Sequence, residues 1–212
     1  MDFFTTFLQH NPATITLVLL IVTVSIVGFL KPSLFAKLVM VPYSLYKKER
    51  LYTLLTAPLV HKNVLHLLLN LLVLLIVGMG LEKDLKLERQ SPFLLLFFFF
   101  LCALLANIGS SWRHRRNLRV RSMGSSGGAL GLMAIHLLLN PFKYMLNIQP
   151  IGHFNGLAVL LFLFVLVSLS LSRQSDEMVD HWNHFFGVLG GTIIGLLFFW
   201  HNTAGIFSYY LG

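Results

Sequence analysis

The chain has 212 residues, of which 56% are hydrophobic and only 11% are charged. A soluble domain carries about 25% charged residues, so this composition excludes an ordinary soluble domain and indicates a membrane protein. The formal net charge of +8 is compatible with nucleic-acid binding, but the basic residues lie in loops between apolar segments. We therefore expect the lipid bilayer, through its head groups, and not nucleic acid to be their partner.

Six apolar segments approach the roughly 20 residues that a bilayer-spanning helix needs. They lie at about 13–30, 60–80, 92–108, 126–141, 154–171 and 182–200. The pair Asn11-Pro12 supplies a helix start signal for the first segment. We predict an all-α, polytopic membrane protein whose six transmembrane helices form one membrane domain over residues 1–212.

The carboxylates lie outside these six segments, as expected because an ionised side chain at mid-bilayer costs at least about 2.5 kcal/mol. We expect the linker after the second segment to be solvated; it carries Glu82, Lys83, Asp84, Lys86, Glu88 and Arg89. The linker after the third segment is arginine-rich, with Arg113, Arg115, Arg116, Arg119 and Arg121. The first linker, at about 31–58, mixes basic with aromatic and apolar residues, and we expect it to lie partly in the membrane interface.

Polar residues are few within the apolar segments, and they occur near the starts of three of them. The second segment carries His66 and Asn70, which are four residues apart and share one helix face. The fourth segment begins at Ser126, and His184 lies in the first turns of the sixth. With six spans, the even-numbered helices run in the same direction. We therefore expect these four side chains at similar depth on one side of the membrane.

Glycines give the fourth and sixth segments a means of close approach. Gly127 and Gly131 form one small face, and Gly187, Gly191 and Gly195 form another. Such faces let helix backbones pack closely, which can bring a serine hydroxyl to a histidine. A neutral imidazole is a suitable base for a serine, which is a weak nucleophile until its proton is removed.

The same segments hold donors for an oxyanion. Free backbone N–H groups at the helix N-terminus, with the side chains of His66 and Asn70, can each contribute about 3–4 kcal/mol to an oxyanion. No carboxylate lies within a predicted span, and Asp180 is too near the surface to complete a triad. The sequence therefore permits a Ser126–His184 dyad.

These residues resemble the motifs of the rhomboid family of intramembrane serine proteases. The matching motifs are Gly124-Ser125-Ser126-Gly127, His66 and Asn70 preceded by His61, and His184 followed by Gly187 and Gly191. By this resemblance Ser126 attacks, His184 is the base, and His66, Asn70 and the Ser126 amide form the oxyanion hole. It implies peptide-bond hydrolysis through an acyl-enzyme, with single-pass membrane proteins as substrates and no metal or cofactor.

The resemblance also implies that substrates approach laterally, near the fifth segment and the linker at 172–181, and that small residues are preferred at the cut. We expect an integral, multi-pass protein of a bacterial inner (cell) membrane.

Two positions depart from the family. Tyr52-Thr53 replaces a frequent Trp-Arg pair, with Arg50 displaced, and Leu130 replaces an aromatic residue. These departures bear on loop anchoring and on packing against the histidine.

Several alternatives stay open from the sequence. His181 and His184 could bind zinc with His61 and His66, although no cysteine or carboxylate accompanies them. His136 is expected to be structural. A rhomboid-like protein that binds membrane segments without cutting them is the main functional alternative, and a transporter or scaffold is a weaker one. The chain contains no His-Glu-x-x-His motif of a metalloprotease.

The charge distribution and the family resemblance predict opposite membrane orientations. The positive-inside rule places Lys and Arg on the cytoplasmic side. The family arrangement, with the N-terminus inside, would instead direct the basic first and third linkers outward. Accessibility of residues 113–121 decides between the two orientations.

Overall fold

The computed structural model describes residues 9–149, 152–171, 180–202 and 204. Between Pro12 and Phe198 the helices are α1 (Pro12–Leu30), α2 (Pro32–Leu38), α3 (Pro42–Tyr46), α4 (Thr53–Thr56), α5 (Val64–Leu87), α6 (Leu94–His114), α7 (Ser126–Leu139), α8 (Gly156–Ser170) and α9 (His181–Phe198). A 3-10 turn at Ala57–Leu59 follows α4, and an antiparallel hairpin of β1 (Tyr144–Ile148) and β2 (Gly152–Asn155) lies between α7 and α8.

Each of the six predicted segments overlaps one long helix, namely α1 or one of α5 to α9. In the described part of the chain, α1, α5 and α6 are long and apolar enough to cross a membrane by length and composition. The apolar helices α7 and α8 are shorter, with 14 and 15 residues. The predicted helical membrane fold is confirmed, whereas the number of six spans stays a prediction.

Large apolar side chains lie on the outside of the bundle. On α5, Leu68, Leu72 and Ile76 follow one another at one-turn spacing and are each more than half exposed. A soluble protein rarely exposes a continuous stripe of this kind, whereas hydrocarbon chains solvate it without cost. The exposed stripe is therefore a lipid-facing surface.

Two helix starts lie at start signals that are local in the sequence. Asn11 precedes Pro12 at the start of α1, as predicted. The second segment begins at Val64 and not near residue 60, because the Asn63 side chain accepts a hydrogen bond from the His66 N–H at 2.8 Å and caps α5.

The prediction that Glu82 lies in a solvated linker is wrong. Helix α5 continues to Leu87, and the Glu82 side chain is fully buried. Its carboxylate accepts hydrogen bonds from the Ala13 N–H at 3.2 Å, the Thr14 N–H at 2.9 Å and the Thr14 hydroxyl at 2.7 Å. These amides belong to the first turn of α1, which lacks partners within its own helix. The buried carboxylate thus caps α1 from a neighbouring helix.

The same prediction is wrong for Asp84, which is 6% exposed on α5. Its Oδ2 lies 2.5 Å from His136 Nδ1 and accepts from Asn140 Nδ2 at 2.7 Å. His136 therefore ties α7 to α5 at the end of the bundle opposite Ser126. Arg113 also differs from expectation, since it lies in the last turn of α6.

Helix α7 is the central element, and it packs against α5, α6, α8 and α9. A Cβ atom built on Gly187 would lie within 3.0 Å of the Gly127 carbonyl group, and one on Gly191 within 3.0 Å of the Gly131 carbonyl group. The α7 and α9 backbones are thus in direct contact, and the predicted packing through their glycine faces is confirmed.

Replacing Glu82 with alanine leaves two backbone donors and one hydroxyl of α1 without their acceptor. We expect Glu82→Ala to lower the free energy of unfolding by about 3 kcal/mol, the scale for removing one partner from a buried charged network. Glu82→Gln, which keeps one acceptor oxygen, should lose less. Denaturant unfolding of the detergent-solubilised protein measures both. Glu88→Ala is the control, because Glu88 is an exposed carboxylate beyond the same helix; an equal loss there would contradict the capping role.

The contact between α7 and α9 predicts that alanine destabilises the bundle at Gly191 and not at the adjacent Gly190. Gly191→Ala places a methyl group against backbone, which cannot move aside, and should destabilise the bundle by about 1–3 kcal/mol. Gly190→Ala places its methyl group 3.1 Å from Leu105 side-chain atoms, which can shift. Thermal unfolding followed by tryptophan fluorescence compares the two variants. Equal midpoints would show that the close backbone contact does not limit stability.

Candidate active site

The structure brings Ser126 and His184 together. His184 Nε2 lies 2.7 Å from Ser126 Oγ, the usual length of a good hydrogen bond to a hydroxyl. Ser126 is the first residue of α7, and His184 lies in the first turn of α9. An unprotonated imidazole nitrogen at this distance can take the hydroxyl proton as the oxygen attacks a carbonyl carbon.

The surrounding glycines make this distance attainable. Gly127, the residue after the serine, is in backbone contact with Gly187, which lies one turn beyond the histidine. A side chain at either position would separate the two helix starts. The serine–histidine contact therefore depends directly on the glycine faces.

Asp180 does not contact the His184 ring through any hydrogen bond in the described residues. Its carboxylate accepts from the Asn183 N–H at 3.0 Å, as the N-cap of α9, and from the Ser110 hydroxyl at 2.5 Å. It also lies 3.9 Å from the His114 ring. Asp180 thus fixes the start of α9 against α6, and Ser126 and His184 form a pair without a carboxylate hydrogen-bonded to the imidazole in the described residues.

A pocket of about 500 Å³ opens beside the dyad. Its polar wall includes His66, Asn70, Asn183 and both members of the dyad. Its apolar wall is formed mainly by side chains of α5 and α7: Leu65, Leu69, Val73 and Leu130. The four polar residues that were expected at one depth therefore line a single pocket, and Leu130, where the family often has an aromatic residue, faces it as well.

Hydrogen-bond donors for an oxyanion are present at the pocket. Within the described residues, the N–H groups of Ser126, Gly127 and Gly128 have no acceptor, as is usual for the first turn of a helix. Asn70 Nδ2 donates one hydrogen to the His66 carbonyl at 2.8 Å, which leaves its second hydrogen for another acceptor.

Gly124 meets a backbone requirement at the turn before α7. Its φ of +106° is a conformation that residues with a side chain rarely adopt. A Cβ atom there would also lie 2.7 Å from His66 Cε1, so the ring rests against this glycine. The residue is needed both for the turn and for the position of His66.

A second serine–histidine pair lies behind the first. His61 is fully buried, with Nδ1 at 2.9 Å from Ser25 Oγ and Nε2 at 3.2 Å from the Ser125 N–H. Ser125 Oγ is also 3.3 Å from His61 Nε2, but Ser125 has no exposed surface and does not line the pocket. Because both ring nitrogens of His61 are engaged by serines, this histidine does not fit the zinc set considered from the sequence.

Two further polar contacts were not anticipated from the sequence. Asn183 Nδ2 donates to Asn107 Oδ1 at 2.8 Å, and Asn107 Nδ2 donates to the Leu54 carbonyl at 2.7 Å. This pair joins the start of α9 to α6 and α4. The only signal in the sequence was a single asparagine in each of two apolar segments.

The loop before α4 is anchored even though the Trp-Arg pair is absent. Arg50 Nη2 donates to the carbonyl oxygens of Ala36 and Lys37, at 2.6 and 2.5 Å, and so binds the end of α2. The Tyr52 hydroxyl donates to the Lys37 carbonyl at 3.1 Å. The displaced arginine and the substituted tyrosine thus both anchor the loop to the end of α2. The expected lateral route near residues 172–181 falls largely outside the described residues.

Comparison with known proteins identifies the family of this chain. The family profile described as the Rhomboid domain matches residues 48–201. RHOMBOID-like protein 1 of Arabidopsis thaliana is 26% identical over 161 residues, which cover 76% of this chain and 38% of the relative. RHOMBOID-like protein 7 is 27% identical over 154 residues (73% of this chain, 45% of the relative). RHOMBOID-like protein 6, mitochondrial, is 27% identical over 155 residues (73% and 46%); both are also from Arabidopsis thaliana.

The chain thus spans less than half the length of these curated relatives. All three come from a plant, so they give no support to the expected bacterial inner membrane. The helical bundle and its apolar helices identify an integral membrane protein. Because the Rhomboid-domain match covers more than half of the chain, this protein belongs to the rhomboid family.

Proposed function

We propose that this chain is an intramembrane serine endopeptidase that cleaves transmembrane or membrane-adjacent segments of membrane proteins. The observation that carries the proposal is the 2.7 Å contact between Ser126 Oγ and His184 Nε2 at the wall of an open pocket. The backbones of α7 and α9 are already in contact through their glycines, so the pairing is not needed to bring the two helices together. Single-pass membrane proteins are the proposed substrates.

The first half-reaction forms an acyl-enzyme. Ser126 Oγ bonds to the scissile carbonyl carbon as its proton passes to His184 Nε2, and the carbonyl oxygen becomes an oxyanion. The Ser126 N–H and the free hydrogen of Asn70 Nδ2 are the proposed donors to that oxyanion, with His66 beside them. The protonated His184 then gives its proton to the leaving amine as the C–N bond breaks.

The second half-reaction releases the new carboxyl end. A water molecule gives a proton to His184 Nε2 and attacks the acyl carbon, and the ester bond to Ser126 breaks as its oxygen takes the proton back. The pocket is open and carries polar groups along one wall, which supports access of water to the ester. This scheme needs no metal and no carboxylate partner for the histidine.

Covalent labelling by a fluorophosphonate tests the proposal on the full chain in detergent or proteoliposomes. We expect labelling of the wild type, no labelling of Ser126→Ala, and a labelling rate at least about 10³-fold lower for His184→Ala, because the general base is lost. Ser111→Ala is the control, since that hydroxyl bonds the carbonyl of Asn107 in its own helix.

Cleavage of a panel of single-pass membrane proteins provides the second measurement. Equal labelling of wild type and Ser126→Ala would overturn the assignment of the nucleophile. A wild type that is neither labelled nor cleaves any member of the panel would favour a rhomboid-like protein that binds membrane-protein clients without cutting them.

A further inference from the structure

A buried chain of hydrogen bonds runs from α1 to the oxyanion side of the pocket. It passes through Ser25, His61, Ser125 and Asn70: Ser25 Oγ lies 2.9 Å from His61 Nδ1, the Ser125 N–H donates to His61 Nε2 at 3.2 Å, and Ser125 Oγ lies 3.3 Å from Asn70 Oδ1. The first three residues are at most 1% exposed and Asn70 is 7% exposed. Water therefore does not compete for these hydrogen bonds, and each donor must be matched to an acceptor within the protein.

The direction of donation along these hydrogen bonds is fixed at the Ser25 end. Ser25 Oγ lies 2.9 Å from the Leu59 carbonyl oxygen, which can only accept, so the Ser25 hydroxyl hydrogen is donated there. Ser25 Oγ is then an acceptor toward His61 Nδ1. At the other side of the ring, the Ser125 N–H donates to His61 Nε2 at 3.2 Å, which requires an unprotonated Nε2. His61 is therefore the neutral tautomer with its hydrogen on Nδ1.

The direction is also fixed at the last end. Asn70 Nδ2 faces the His66 carbonyl, so the amide oxygen faces Ser125. The lone pair of His61 Nε2 is already occupied by the Ser125 N–H, which leaves Asn70 Oδ1 as the acceptor for the Ser125 hydroxyl. Every member thus has one possible role, and the amide of Asn70 is held in one orientation.

Building on the proposed function, we infer that Ser125 is a positioning residue for the oxyanion hole. Its hydroxyl holds Asn70 Oδ1, which directs the second hydrogen of Nδ2 to the pocket. Its amide is held by His61, whose ring is fixed in turn by Ser25. The separation of 3.3 Å between Ser125 Oγ and Asn70 Oδ1 is long for an O–H···O bond. Ser125 itself touches no substrate, since it is fully buried.

A double-mutant cycle on kcat and KM separates this role from a general effect on folding. We expect Ser125→Ala to lower kcat about 10-fold to 100-fold with KM unchanged, and Asn70→Ala to lower it about 10²–10³-fold. In the Asn70→Ala background, adding Ser125→Ala should change kcat less than about twofold, because Ser125 acts through Asn70. Ser125→Cys, close in volume but a weak donor, should resemble Ser125→Ala; it replaces the alanine variant in the cycle if that one fails to fold.

The matched control is Thr192→Ala, which removes a hydroxyl bonded within α9 to the Val188 carbonyl, and it should leave kcat unchanged. The positioning role is overturned if Ser125→Ala keeps wild-type kcat, or if the losses from Ser125→Ala and Asn70→Ala multiply in the double mutant. Failure of the proposed function looks different, because the wild type itself would then show neither fluorophosphonate labelling nor cleavage.

Discussion

The contact between the α7 and α9 backbones is the constraint on which the site depends. Gly127 and Gly187 touch at the level of the dyad, and Gly131 and Gly191 touch one turn deeper. With side chains at these positions, the two helices would stand apart by the width of those side chains, and the 2.7 Å hydrogen bond between Ser126 and His184 could not form. The catalytic proposal, the pocket and the central place of α7 all follow from the absence of four side chains.

Buried polar groups tie the rest of the bundle together, and they lie at both ends of it. At the end opposite the pocket, Glu82 caps α1 and Asp84 holds His136. At the pocket end, Asn183 binds Asn107, and His61 binds two serines. Dispersion alone does not distinguish helix neighbours strongly in hydrocarbon, where a polar group without a partner is costly. These contacts therefore define which helices are adjacent and in what register.

Much of this architecture is predictable from the sequence, because hydropathy identifies the apolar segments and helix parity places His66, Ser126 and His184 at one level. The buried carboxylates are not predictable in this way. Hydropathy treats Glu82 as a solvated residue, and its partners in α1 are 68 and 69 positions away along the chain. The capping of α1 is a tertiary contact. The contacts of Arg50 are not predictable for the same reason, because its partners are carbonyl oxygens of α2.

The two serine–histidine pairs show that a short distance between serine and histidine does not alone decide which serine is suited to be a nucleophile. Ser125 and His61 are adjacent, yet the lone pair of the histidine is occupied by a backbone N–H and the serine has no exposed surface. In the other pair, Ser126 and His184 line the pocket, and the imidazole nitrogen faces only the hydroxyl. Access to a substrate and a free lone pair therefore favour Ser126 as the nucleophile. Ser125 has neither property. As a buried and fixed hydrogen-bonding group, it is suited to orient Asn70.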